Sequence, residues 1–477
     1  MADKKKKYII MISAISIALV GVSVLGIFAQ SRNNDVKAQI IASNYSYYLP
    51  YGKVVESDSD KQYVVVETEN VSLEITTESR KEITNAKTGA AIIFRNGKDT
   101  DYLSGLYSDN YSADFAPGKF KGNCSIKEFK DIAVSNNKKS YEIVLPNAYD
   151  VLEMNYGTEW ILMSLVNDKS MLRTYAGLEL SGILHSFYTP DMRFVELFVN
   201  GSYEGTYMIC EKINIDQNRL NISKAKRDKI TGKALTGGYL MKTDTTSENK
   251  DKMEGSVDGK NFYFSMNRPY ILPGSAENSR IKFRHTKYLG NEHFDFIKGY
   301  MQDAEKALFS TDFNTSSDNG YENYFEIEDI IKWYIVEEVF KNPNDPNYTA
   351  TYMFKERSGK ISFGPVWYFG FAAGNSDFVS AALEDGWYVR DNSWISRMFE
   401  DKHFADVFSF KWYEIRDTIK EELFSEINRK AGLLVKSAKY NGISEQDYNK
   451  EVENLINWLD KRIAWMDEHI ELSSEWR

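Results

Sequence analysis

The chain reads as one α+β domain, strand-rich in its first part and helix-rich in its later part, behind a single apolar N-terminal helix. Three observations predict this. Alternating runs rich in Val and Thr recur through roughly the first half. Apolar residues at three- and four-residue spacing dominate most of the second half. No internal repeat and no low-complexity linker divides the chain beyond its N-terminal stretch, so one domain or two intimate lobes is the economical architecture.

The N-terminal helix comes first. Met1-Ala-Asp-Lys-Lys-Lys-Lys7 precedes Tyr8–Ala29, a run of 22 residues without a charge. At about 1.5 Å per residue such a helix spans a hydrocarbon core of about 30 Å. Four lysines before it favour a cytoplasmic N-terminus, with the remainder outside. A signal-anchor over 8–29 is expected. A cleaved signal peptide is the alternative, although its apolar region is usually only about 7–15 residues. Residues 30–60 are polar and read as a stalk, and 61–477 as the exported domain.

The elements of that domain follow from pattern. Tyr63–Glu69, Val71–Thr76 and Tyr141–Leu145 alternate as strands, and residues 85–123, rich in Gly, Asp, Asn and Ser, read as loops with short strands. Met171–Ile183 has helical spacing. Val195, Leu197 and Val199 share a strand face, Asn200-Gly201 supplies the positive φ angles of a tight hairpin, and Gly205–Ile213 returns. Gly237–Asp244 is a further strand, and Thr245–Gly259 a polar, mobile loop. Phe294–Leu308 and Ile327–Phe340 are helical, and two prolines in Asn342–Asn347 end the second. Thr351–Phe354 and Lys360–Phe363 pair across Ser358-Gly359. From Trp394 onward the spacing is helical, ending in Glu445–Ile470 with Val452, Leu455, Ile456, Leu459, Ile463 and Met466 along one stripe.

Composition narrows function. Hydrophobic residues make up 42% and aromatics 14%, which predicts a packed core rather than disorder. The formal charge is −10, and removing the net +3 of Asp3 and Lys4–Lys7 leaves −13 on the remainder. An acidic exported domain argues against nucleic acid and anionic lipid as main partners. Cys124 and Cys210 could pair outside the cell or stand as two buried thiols, and neither has the CxxC spacing of a metal site. His185, His285, His293, His403 and His469 are scattered without an HExxH pair, which excludes that zinc-hydrolase pattern.

Several blocks in order carry a resemblance to a known family over about Lys121–Ile419. They are Trp160–Arg173, ending Asn-Asp-Lys-Ser-Met-Leu-Arg; Tyr188-Thr-Pro-Asp-Met-Arg193; and Phe194–Tyr207 with Glu211-Lys212-Ile213 after it. Gly237-Gly-Tyr-Leu240, Glu338-Val-Phe-Lys-Asn342 and Gly364-Pro-Val-Trp367 follow. The spacing Asn-Gly-x-Tyr-x-Gly-x-Tyr, with a Glu four residues on, is the most specific. The chain resembles the CotH kinase family of atypical secretory and spore-coat kinases. The resemblance implies a kinase-like two-lobed fold that moves the γ-phosphoryl of ATP to Ser or Thr hydroxyls, with Mg²⁺ or Mn²⁺. Such transfer needs a carboxylate at the hydroxyl, cations on the triphosphate and a Lys–Glu pair on the nucleotide.

Against that pattern, Asp345, 23 residues before Tyr368, is the candidate catalytic base, and turn chemistry is its bland alternative. Lys139 and Glu211 are weak candidates for the nucleotide. For Glu211 a plain ion pair is the simpler role, and for Arg173 and Arg193 the simpler role is holding Asp168 and Asp191. The metal motif departs from the family. Where relatives read Trp-Asp-Phe-Asp, this chain has Trp367, Tyr368, Phe369 and Gly370, and Ala350 stands at a further ligand position. Glu142, Val144 and Lys242 depart at other charged positions, and Lys121-Gly122-Asn123 is shortened. A phenol and a glycine do not supply the hard anionic oxygens that Mg²⁺ prefers. No residue is therefore assigned as a metal ligand, although Asp377, Glu384 or Asp385 could offer a replacement oxygen. The expected function is a pseudokinase scaffold or binding module for a nucleotide, a peptide or an envelope or coat partner. An active kinase with relocated ligands and a purely structural coat or envelope protein are the alternatives.

Overall fold

The computed structural model describes residues 53–56, 62–65, 68, 70–95, 122–130, 132, 138–245, 279–283, 289–315, 320–343, 351–391 and 393–470. The expected anchor over 8–29, most of the loop over 245–259, Asp345 and Ala350 lie outside these residues. Among the described residues no helix is long and apolar enough to cross a membrane. The stretch expected as a polar stalk contains β1 (Lys53–Glu56), which pairs antiparallel with β2 (Gln62–Val65).

Seven strands close into a barrel: β3 (Val71–Thr77), β4 (Thr88–Arg95), β5 (Gly122–Phe129), β6 (Ser140–Tyr149), β7 (Gly157–Ser164), β8 (Met192–Val199) and β9 (Ser202–Glu211). All neighbours are antiparallel except β3 and β8, whose parallel pairing completes the ring. Alternation builds its interior. Leu73/Ile75, Ile92/Phe94, Trp160/Leu162, Val195/Leu197 and Tyr207/Ile209 point inward at two-residue spacing. The hairpin between β8 and β9 turns through Asn200 (φ 52°) and Gly201 (φ 89°), as the sequence predicts.

The same alternation attaches the barrel to the rest of the molecule. Ile161 and Met163, Phe194, and Met208 and Cys210 leave the opposite face of β7, β8 and β9 and join a second, larger core. That core is built from α1 (Arg173–Ile183), α2 (Asn291–Leu308), α3 (Ile327–Phe340), short α4 (Val379–Ala382) and α5 (Ser393–Met398), then α6 (Lys402–Thr418), α7 (Phe424–Tyr440) and α8 (Glu445–His469). A four-stranded sheet in the order β11–β10–β12–β13 accompanies them: β10 (Tyr239–Thr245), β11 (Ser279–Phe283), β12 (Tyr352–Lys355) and β13 (Ile361–Phe363). Helix α3 is buried on nearly every face from Ile330 to Phe340, as expected of a helix at the centre of a core. Cys124 lies in the barrel core and Cys210 in the other, so the two thiols are free and buried rather than paired.

One buried charge sits in the apolar stripe of α8. Arg462 is fully buried and pairs with Glu338 of α3 at 2.6 Å, while also donating to the carbonyls of Glu384 and Gly386. Both oxygens of Glu338 are used, because the amides of Tyr388 and Arg390 also donate to them. The segment 383–390 is thereby fixed between α3 and α8.

Candidate functional site

The site begins at β13, whose chain continues from Gly364 to Phe369 outside any strand and then turns at Gly370–Phe371. Val366, Trp367, Tyr368 and Phe369 are all buried. Phe369 packs against Phe340 of α3, and a Cβ at Gly177 of α1 would overlap its ring, so a glycine is needed there. The amide of Phe369 donates to the Thr174 hydroxyl.

Tyr368 is held at both ends. Its hydroxyl accepts from Asn167 Nδ2 at 2.9 Å, and its carbonyl accepts from Asn342 Nδ2 at 3.0 Å. Burial pushes its phenol well above the usual tyrosine range, so it is a neutral hydroxyl rather than a phenolate. The ring folds back over its neighbour two residues on. A Cβ at Gly370 would overlap the Tyr368 hydroxyl and the carbon that bears it. The two departures from the metal motif are therefore one structural unit: the phenol occupies the space that a side chain at 370 would need.

The turn at 167–173 forms the other wall. Asp168 is buried and receives four hydrogen bonds, from the amide and hydroxyl of Ser170, the amide of Arg173 and the Arg173 guanidinium at 2.5 Å. Three of these bonds converge on Oδ1 and one reaches Oδ2, and the buried carboxylate already has its counter-charge in Arg173. Arg173 also donates through Nε to the carbonyls of Ala372 and Ala373, and Asn375 Nδ2 donates to the carbonyls of Asn167 and Gly370. The two segments are thus stitched together by neutral groups and by Arg173, whose charge is paired with Asp168.

The remaining predicted residues are placed elsewhere. Lys139 donates to Glu82 and the Ile83 carbonyl. Its neighbour Lys138, also just before β6, is the one that lines a cavity. Glu211 lies at the far end of β9, where Arg219 meets it at 2.6 Å and the Tyr188 hydroxyl donates to it. Burial raises its carboxyl despite Arg219. The structure does not bring Lys139 and Glu211 together. Arg193 pairs with Asp191. Asp377 and Asp385 are exposed, and Glu384 is bound to Lys461 at 2.8 Å, which holds its carboxyl below the usual range. Among the described residues, a cluster with metal-ligand geometry is Glu322, Asp401 and His403. Asp401 there caps α6, and His403 meets Glu322 at 2.7 Å.

A cavity of about 350 Å³ opens between the barrel and the turn joining α7 to α8. Tyr203, Gly205 and Tyr207, from the signature spacing of the hairpin, form part of its wall, and Asp168 and Lys169 reach it from the turn that holds Tyr368. Tyr440–Ile443 close it from the helical side, and sequence reading gave no sign of them. Behind the wall lies Glu196, fully buried, accepting from Asn70, Tyr203, Thr206 and Ser437.

The family model described as CotH kinase protein matches residues 119–466, nearly three quarters of the chain. The chain belongs to the CotH kinase family. The match runs from the barrel through most of α8, well beyond Ile419, so the C-terminal helices are part of the family domain. No curated protein matches the chain.

Proposed function

We propose that this chain is a CotH-family binding module that does not transfer phosphate, exported and held at the membrane by residues 8–29. In this reading the barrel and the helical body take the places of the two lobes of a kinase-like fold. One observation carries the loss of chemistry: the neutral Tyr368 phenol fills the space of a side chain at 370. Divalent metal chemistry on a triphosphate needs hard anionic oxygens at that segment. The residues present do not fit Mg²⁺ or Mn²⁺, since residues 367–375 include no carboxylate and Asp168 beside them is already paired with Arg173. Removing one preorganised electrostatic group commonly costs about 10²–10³ in rate, and here both motif carboxylates are gone.

The test is transfer from γ-labelled ATP with Mg²⁺ and with Mn²⁺, to the protein itself and to a mixed Ser/Thr acceptor. No label above background is expected. Label that Asp345→Ala abolishes would overturn the reading and make the chain an active kinase with relocated ligands.

A further inference from the structure

We propose that the cavity between the barrel and the α7–α8 turn binds an uncharged cyclic polyol, recognised through a vicinal diol. This rests on the reading that the chain binds without transferring phosphate, and names the ligand class.

Charge excludes the polyanions first. Glu204 and Asp168 line the cavity, and Glu196 sits directly behind Tyr203 and Thr206. Lys138 and Lys169 line the cavity with them. Arg173 is bound to Asp168, and Lys138 donates to the Glu204 carbonyl with its ammonium 4.0 Å from the Glu204 carboxylate. Glu196 accepts from four neutral donors, Asn70, Tyr203, Thr206 and Ser437. Acid and base are balanced before any ligand arrives. A triphosphate would meet the carboxylates of Glu204 and Asp168, with Glu196 behind the wall, and Lys169 is the one exposed lining cation outside these pairs to offset it.

Shape and polarity then favour a ring. The volume suits a small-molecule site. Its lining mixes apolar groups, Leu165, Met171, Ile443 and the half-buried Tyr440 ring, with polar ones, Lys138, Glu204 and Thr206. Neither the Lys138 nor the Glu204 side chain is buried, at 38% and 28% exposure. An ammonium beside a carboxylate presents a donor and an acceptor together, which two neighbouring hydroxyls of a ring can satisfy at once. The apolar C–H face of the same ring lies against Tyr440. A glycosyl unit and the ribose of a nucleoside both have this chemistry.

The experiment uses the purified full-length chain in a sugar-free detergent. Calorimetry titrates a neutral trisaccharide (maltotriose or tri-N-acetylchitotriose), adenosine, and ATP with and without Mg²⁺. Saccharide or adenosine binding, weakened about tenfold by Glu204→Gln and by Tyr440→Ala, is expected, and the arm that binds names the source. Both variants alter partly exposed side chains, and unchanged thermal unfolding would verify their fold. No binding in any arm, ATP binding tighter than both neutral ligands, or variants without effect would overturn the inference. ATP binding without transfer would sink this inference alone, whereas labelled transfer would sink the functional reading beneath it.

Discussion

The turn at 167–173 and the segment at 367–375 touch each other, yet they handle acidic chemistry in opposite ways. The turn keeps its carboxylate, Asp168, and commits it to its own backbone, Ser170 and Arg173. The segment has no carboxylate and fills the space with the Tyr368 ring. Residues that carry the family resemblance and hold the scaffold remain, while the residues that would handle metal charge do not. Glu338, Lys341 and Asn342 belong with the first group. Glu338 is bound by Arg462, Lys341 donates to the carbonyls of Leu383 and Asp385, and Asn342 supports the Tyr368 carbonyl.

The largest effect that sharpens this contrast comes from the turn. Arg173→Met leaves Asp168 buried without its cation and should cost about 3–5 kcal/mol, read by denaturant unfolding. A loss below about 1 kcal/mol would mean that the pair is not structural. Next comes the segment. Gly370→Ala should cost about 1–3 kcal/mol through overlap with Tyr368, and Tyr368→Ala in the same chain should remove most of that penalty. Additive costs would break the claim that 368 and 370 act as one unit.

A pH dependence follows from Lys341. Burial holds its ammonium at about 8, below its usual 10.5. Between these values the unfolded chain binds more protons, so stability rises with pH from about 8 towards 10, by on the order of 2 kcal/mol. Below pH 8 the penalty is fully present. Buried Lys355, also lowered to about 8, adds in the same direction. Above pH 10 the buried tyrosines, whose pKa values are raised, oppose it. Lys341→Met should flatten the rise in urea midpoints by about half, and an unchanged slope would remove Lys341 from the account. The smallest effect is Tyr368→Phe, which removes the acceptor for Asn167 and should cost about 1 kcal/mol.

The sequence made the strands and helices legible where period and turn chemistry agreed, as at the Asn200-Gly201 hairpin and the α8 stripe. It did not reveal that seven strands close on themselves. Closure depends on the parallel pairing of β3 with β8, residues more than a hundred positions apart, which no local pattern records. Lys139, the candidate for the nucleotide, is engaged by Glu82 and the Ile83 carbonyl, whereas its neighbour Lys138 lines the cavity, a difference that residue type does not record. For Glu211 the simpler role legible in the sequence is a plain ion pair, and the structure gives it one with Arg219, a partner from the loop beyond that the sequence does not name. The loss of carboxylates at 368 and 370 was legible from residue types alone. The reason both positions changed together needed the Tyr368 side chain in space.

The central claim is that Tyr368 and Gly370 remove metal-dependent nucleotide binding. Calorimetry of ATP with Mg²⁺ and with EDTA, on the wild-type chain and on Tyr368→Asp/Gly370→Asp, tests it most directly. The account predicts that Mg²⁺ does not strengthen ATP binding to the wild type and strengthens it at least tenfold in the double variant. Tighter binding of ATP to the wild type with Mg²⁺ than with EDTA would contradict it.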